Sequence, residues 1–140
     1  VALTEYMLDT SANSRLHLDA VAQRVQPLLE RALIHTCAVL NLEALFSSQN
    51  ADEYDRIWTI RNSIFLYQDT DERHLSRAQE VQQRLARESQ HRGASLPDLI
   101  IAAVAEARGL TVLHYDRDYE HIAAVTGQAT EWVAPPGSLP

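Results

Sequence analysis

The sequence predicts an α/β/α sandwich, a central parallel sheet with helices on both faces. Three observations predict it. Short apolar bursts of strand length alternate with longer stretches whose apolar residues recur at helical spacing. The clearest strand, Thr111 to Tyr115, and the first, Tyr6 to Leu8, each run straight into an aspartate, Asp116 and Asp9. No repeat, low-complexity tract or linker divides the chain, so residues 1–140 read as a single domain.

Tyr6-Met7-Leu8 reads as a strand entering the polar turn Asp9-Thr10-Ser11. Between Leu18 and Ala32, the residues Val21, Val25, Leu28, Leu29 and Ala32 keep helical spacing, and Pro27 is a candidate kink. Ile34-His35-Thr36 suits a second strand. Ala38 to Ser48 carries Val39, Leu42, Leu45 and Phe46 as a helical stripe, with Glu43 beside it. Asp52 to Ile64 predicts another helix, with Tyr54, Ile57, Trp58, Ile60 and Ile64 along it. Leu66 to Thr70 has room for a short third strand. The polar helix from Asp71 to Ser89 turns Leu75, Ala78, Val81 and Leu85 inward, and His91 to Ala94 forms a loop.

Ser95 and Pro97 open a helix that runs to Arg108 and stops at Gly109. After the Thr111 strand, a helix carrying Ile122, Ala123 and Val125 ends at Gly127. Trp132-Val133-Ala134 is the expected last edge strand. Open sheets of this kind bind ligands beyond the carboxyl ends of their strands, which is where Asp9 and Asp116 fall.

Composition narrows the class. The chain is 46% hydrophobic, enough to fill one layered core. No apolar run nears the roughly 20 residues of a membrane span. The amino end lacks a basic region followed by an apolar stretch, so no secretory signal is expected, and the start at Val1 rather than Met reads as a trimmed start. A lone Cys37 excludes an intrachain disulfide and fits a reducing, cytoplasmic setting. The net charge of −7 opposes nucleic-acid binding unless some acids sit beside bound cations. All 12 basic residues are arginines, which grip phosphate bidentately.

The acids carry the chemistry. Asp9, Asp116 and Asp118 follow strands, Asp98 lies in the first turn of the Pro97 helix, and Glu43 sits on a largely apolar helix. Carboxylates from separate elements suit Mg²⁺ or Mn²⁺, hard cations that take oxygen ligands. Each acid also has a plain structural reading. Asp9 and Asp116 could form turns, Asp118 could cap the next helix, Asp98 could complement a helix dipole, and an arginine could satisfy Glu43. Other chemistries fit less well. The six histidines show no HExxH spacing, and most of them read as surface or loop residues. Ser11 lacks a nucleophile elbow, Cys37 reads as core, and no glycine-rich phosphate loop is present.

Four segments in order resemble the motifs of PIN-domain ribonucleases. They are Leu8-Asp9-Thr10-Ser11-Ala12, Leu42-Glu43-Ala44-Leu45-Phe46-Ser47, Pro97 to Ala103, and His114-Tyr115-Asp116-Arg117-Asp118-Tyr119. The closing Thr126-Gly127-Gln128 and Trp132-Val133 resemble the VapC toxin branch of that family, and the likeness spans about Tyr6 to Gly137. The resemblance implies an endoribonuclease that holds Mg²⁺ or Mn²⁺ and hydrolyses phosphodiester bonds of transfer or ribosomal RNA. It also implies a toxin that dimerises and is neutralised by a VapB antitoxin. Carried over, Asp9, Glu43, Asp98 and Asp116 form the catalytic set, with Asp9, Asp98 and Asp116 on the metal. Asp118 is a possible auxiliary, Thr10 and Ser11 are candidates to orient Asp9 or a water, and Arg92 either contacts RNA phosphate or makes a structural salt bridge.

One position departs from the pattern. Asn41 stands where relatives of this kind often carry an acid. In a register shifted by two residues, Asn41 would replace Glu43 as the motif residue, and metal affinity and activity would fall. Two rivals remain. One is a catalytically impaired PIN-fold module that mainly binds a partner. The other is a small-molecule phosphatase, opposed by the missing second aspartate after Asp9-Thr10.

Overall fold

The computed structural model describes residues 3–140, so the start at Val1 lies outside the described residues. Five strands, β1 (Tyr6–Leu8), β2 (Ile34–Cys37), β3 (Leu66–Gln68), β4 (Thr111–His114) and β5 (Thr130–Trp132), form one sheet. Their order is β3-β2-β1-β4-β5, and every neighbouring pair is parallel. Among the described residues seven helices connect them: α1 (Thr10–Asn13), α2 (Asp19–Glu30), α3 (Ala38–Phe46), α4 (Ala51–Ile64), α5 (Glu72–Arg87), α6 (Leu96–Ala107) and α7 (Asp118–Thr126). No described helix is long and apolar enough to cross a membrane.

The alternation of side chains along each strand divides the interior into two cores. Met7 and Val112 face a core with Leu40 of α3, Ala78, Val81 and Leu85 of α5, Ile101 and Val104 of α6, and Tyr119 and Ile122 of α7. Tyr6, Leu8 and Leu113 face the opposite core with Ala12 of α1, Val21, Val25 and Leu28 of α2, and Phe65 after α4. The central strands are therefore apolar on both faces, as a covered parallel sheet requires. The sandwich predicted from the alternation of periods is the observed architecture.

The connectivity creates one special place. From β1 the chain steps outward to β2 and β3, then crosses back to place β4 on the other side of β1. The outgoing loops of β1 and β4 thus diverge, leaving a crevice at the carboxyl ends of these neighbours. Local signals frame it. Ser95 caps α6, its Oγ accepting the N–H of Asp98 at 3.2 Å, and Gly109 (φ 66°) and Gly127 (φ 71°) adopt the left-handed conformation that ends α6 and α7.

Several expectations are corrected. The Asp9-Thr10-Ser11 turn winds into the one-turn helix α1, because Asp9 caps it. Pro27 lies inside α2, which runs unbroken to Glu30. The last strand is Thr130–Trp132 rather than Trp132–Ala134, pairing with Val112 to His114. On α5, His74 takes the inward place expected of Leu75, which is exposed. The larger difference concerns α3 and α4. Leu42 and Phe46 point to solvent, with Phe46 92% exposed, and so do Tyr54, Trp58, Ile60 and Ile64. The buried face of α3 is Leu40, Asn41 and Leu45, and α4 buries Arg61 alone. Three of the histidines, His35, His74 and His114, are buried rather than at the surface. His35 has two polar partners: its Nε2 lies 2.8 Å from Glu5 and its Nδ1 lies 2.9 Å from Gln68. His74 Nδ1 accepts the N–H of Asp71 at 2.9 Å, closing the α5 capping box.

Candidate active site

The acids converge on the crevice. Asp9 leaves β1 with its N–H bonded to the Leu113 carbonyl at 3.0 Å. Its Oδ2 accepts the N–H and the hydroxyl of Ser11, at 3.0 and 2.6 Å. Its Oδ1 accepts the hydroxyl of Tyr119 at 2.5 Å. Ser11 Oγ accepts the N–H of Tyr115 at 2.8 Å, so one hydroxyl ties the β1 loop to the β4 loop. Asp98, 6% exposed in the first turn of α6, brings Oδ1 to 3.2 Å from the same Tyr119 hydroxyl.

Asp116 N–H donates to Nδ1 of His114 at 3.2 Å, and Asp116 Oδ1 accepts the N–H of Asp118 at 2.9 Å. Asp118 is not the cap of α7, which is Arg117; its Oδ2 reaches across to accept the N–H of Ser95 at 2.9 Å. Asp98, Asp116 and Asp118 each present a carboxylate oxygen within 4.8 Å of the others. Glu43 reaches the site from α3, with Oε1 accepting the hydroxyl of Thr10 at 2.8 Å.

Burial and neighbouring charge raise the proton affinity of three carboxylates in the crevice, Asp98, Asp116 and Glu43. Burial, reinforced by the charge of Asp9 and by Asp118 and Asp116, pushes the Asp98 carboxyl up to about 8. Burial and the charges of Asp118 and Asp9 also raise Asp116, against the lowering hydrogen bond from the Asp118 N–H. Glu43 is raised by burial and by Asp9, against the lowering hydrogen bond from Thr10. His114 moves the other way: burial lowers it to about 4, keeping the ring neutral.

An aspartate in an unfolded chain ionises near roughly 3.9. Between there and about 8 the folded chain retains a proton at Asp98 that the unfolded chain has released, so stability falls as pH rises through this range. The neutral His114 acts oppositely, its stabilisation being lost as pH falls from roughly 6.5 toward about 4. Of Asp98 and His114, only Asp98 contributes between about 6.5 and 8. In EDTA, the melting temperature should therefore drop across this interval, which differential scanning fluorimetry would read. A flat or rising profile would refute the carboxylate account.

The structure brings Asp9, Thr10, Ser11, Glu43, Asp98, Asp116 and Asp118 together, whereas Asn41 turns away and Arg92 makes no hydrogen bond to them. Asn41 and Glu43 are two residues apart on α3 and so project in nearly opposite directions. Glu43 meets Thr10, whereas Asn41 Oδ1 accepts Arg61 Nε at 2.9 Å and the Thr36 hydroxyl at 3.1 Å. Arg92 is exposed and forms no salt bridge among the described residues. Sequence reasoning missed Tyr119, Arg61 and His114. The available signals were the spacing of Tyr119 and Ile122 on one face of α7 and an arginine interrupting the apolar residues of α4.

The donor set fits a hard divalent cation. It is all oxygen, partly buried, rich in negative charge and drawn from separate elements. The family model of the PIN domain matches residues 6–125. The chain is 44% identical over 135 residues to ribonuclease VapC21 of Mycobacterium tuberculosis, covering 96% of this chain and 98% of that one. Ribonuclease VapC51 of the same organism is 42% identical over 135 residues, covering 96% and 97%. In fold the chain resembles the DNA-bound VapBC structure from Salmonella typhimurium, with TM-score 0.73 at 19% identity over 94% of this chain and 100% of that chain. The chain therefore belongs to the PIN-domain family, in its VapC branch.

Proposed function

We propose that this protein is a metal-dependent endoribonuclease that hydrolyses RNA phosphodiester bonds, the toxin of a toxin–antitoxin pair. The observation that carries this reading is the gathering of Asp9, Glu43, Asp98, Asp116 and Asp118 at the carboxyl ends of β1 and β4. Asp9, Asp98 and Asp116 are the residues to hold Mg²⁺ or Mn²⁺, with Asp118 in support. The bound cation supplies charge neutralisation at the phosphate and makes water a stronger acid.

The chain's own residues supply position and proton transfer. Ser11 and Tyr119 fix the rotamer of Asp9, and Thr10 fixes Glu43. Glu43, raised by burial and by Asp9, takes the proton of the water that attacks phosphorus in line. Arg92, exposed on the loop before α6, contacts RNA phosphate at the rim.

The chain acts in the cytoplasm as a dimer and is held in check by a VapB-type antitoxin. The bare apolar face of α3 and α4, with Leu42, Phe46, Tyr54 and Trp58 exposed, supports a protein partner. The relatives' name, ribonuclease, supports the activity. The test is cleavage of total cellular RNA with Mg²⁺ or Mn²⁺ and with EDTA. Discrete fragments that vanish in EDTA are expected. Cleavage unaffected by EDTA would reject the metal, and no cleavage by a folded, metal-binding chain would favour the impaired binding module.

A further inference from the structure

The geometry points to Tyr119 as a positioning residue that orients the Asp9 carboxylate beside Asp98 and so sets the affinity of the site for a divalent cation. This rests on the reading above that Asp9 and Asp98 hold the metal. Tyr119 is 0% exposed, and its ring packs in the core beside His114 at a centroid distance of 4.9 Å. A buried hydroxyl is costly without a partner, and phenylalanine would fill the same space. The hydroxyl is explained by its neighbours, Asp9 Oδ1 at 2.5 Å and Asp98 Oδ1 at 3.2 Å.

The two carboxylates come from different elements, Asp9 from the end of β1 and Asp98 from the first turn of α6. The Tyr119 hydroxyl lies between them, held by a third element, α7. It has one proton, which its shorter contact directs to Asp9. Ser11 already occupies Asp9 Oδ2, so Ser11 and Tyr119 together fix both oxygens of that carboxylate. Orienting hydrogen bonds of this kind are worth roughly 10- to 100-fold in metal affinity.

The experiment is calorimetric titration of the full chain with Mn²⁺, without RNA, alongside melting in EDTA. Tyr119→Phe should melt close to the wild type and bind Mn²⁺ about 10- to 100-fold more weakly. Its cleavage rate should recover toward the wild-type value at saturating Mn²⁺. Ile122→Val, a packing change on the same helix, should lower the melting temperature and leave the Mn²⁺ isotherm unmoved. Equal Mn²⁺ affinity in Tyr119→Phe and wild type overturns the proposal, as does an equal weakening in Ile122→Val. Asp9→Asn separates the two readings. If the wild type binds no Mn²⁺, or Asp9→Asn binds it as well as the wild type, the metal site itself fails and Tyr119 falls with it.

Should Tyr119→Phe not fold, the wild type answers by proton NMR. A slowly exchanging downfield hydroxyl proton, uncoupled to ¹⁵N in labelled protein, should shift as Mg²⁺ is added. A spectrum without such a moving resonance overturns the proposal.

Discussion

Asp98→Asn should abolish RNA cleavage while raising the melting temperature of the metal-free protein. The two effects have one origin. Asp98 is buried beside Asp9, Asp116 and Asp118, and its carboxyl resists ionisation up to about 8. An amide of the same shape removes that repulsion and should stabilise the metal-free chain by about 1–3 kcal/mol at pH 8. The same amide removes a charged oxygen ligand. The chemistry then loses several kcal/mol of transition-state stabilisation, on the order of 10³-fold or more in rate. Stabilisation by added Mg²⁺ should also shrink, because a ligand stabilises only in proportion to its occupancy of the folded state. Gel assays and paired melts in EDTA and Mg²⁺ would check all three. A variant that cleaves at the wild-type rate would remove Asp98 from the machinery. One that is inactive and less stable would make its role structural.

Arg61→Ala should cost about 2–4 kcal/mol of folding stability, read from the urea midpoint. Arg61 is 7% exposed, and its hydrogen-bond partners are neutral: Asn41 Oδ1 at 2.9 Å and Thr36 Oγ1 at 3.0 Å. The guanidinium also lies 4.8 Å from the centroid of the Phe65 ring. Alanine would empty the space between α4, α3 and β2 and strip Asn41 of a donor. Because Asn41 and Glu43 share α3, the loosening should reach the site and slow cleavage as well. Asn41→Asp should act in the opposite direction. The guanidinium is already desolvated, so a carboxylate at this hydrogen-bonding position should add stability, about 1–2 kcal/mol, with little change in cleavage rate. A large gain in rate would instead place position 41 at the metal. A loss in Arg61→Ala under about 0.5 kcal/mol would show that the network contributes little.

Much of the fold was legible in the chain because its signals are local. The 3.6-residue spacing of Val21, Val25 and Leu28, the Ser95 and Pro97 start, and the stops at Gly109 and Gly127 depend on the backbone of a few neighbouring residues. So do the abrupt strand ends at Asp9 and Asp116. With the rule that parallel sheets bind at strand carboxyl ends, these placed the crevice.

What local pattern could not supply is the phase of an element against its neighbours. The apolar residues of α3 and α4 have helical spacing, yet Phe46 and Trp58 face outward while Asn41 and Arg61 are buried, because each helix is covered on one face only. Periodicity fixes which residues share a face and says nothing of which face is covered. Nor could spacing find Tyr119. Its hydroxyl meets a carboxylate 110 residues away, a contact made only when α7 packs beside β1 and α6. By itself the sequence determined the alternating elements and marked the acids that end strands. The tertiary structure decided which acids meet, that Glu43 rather than Asn41 turns toward them, and that Asp118 joins Asp98 and Asp116. The reason is physical: helix and strand periods are set by bonds between near neighbours, whereas convergence is set by packing across the whole domain.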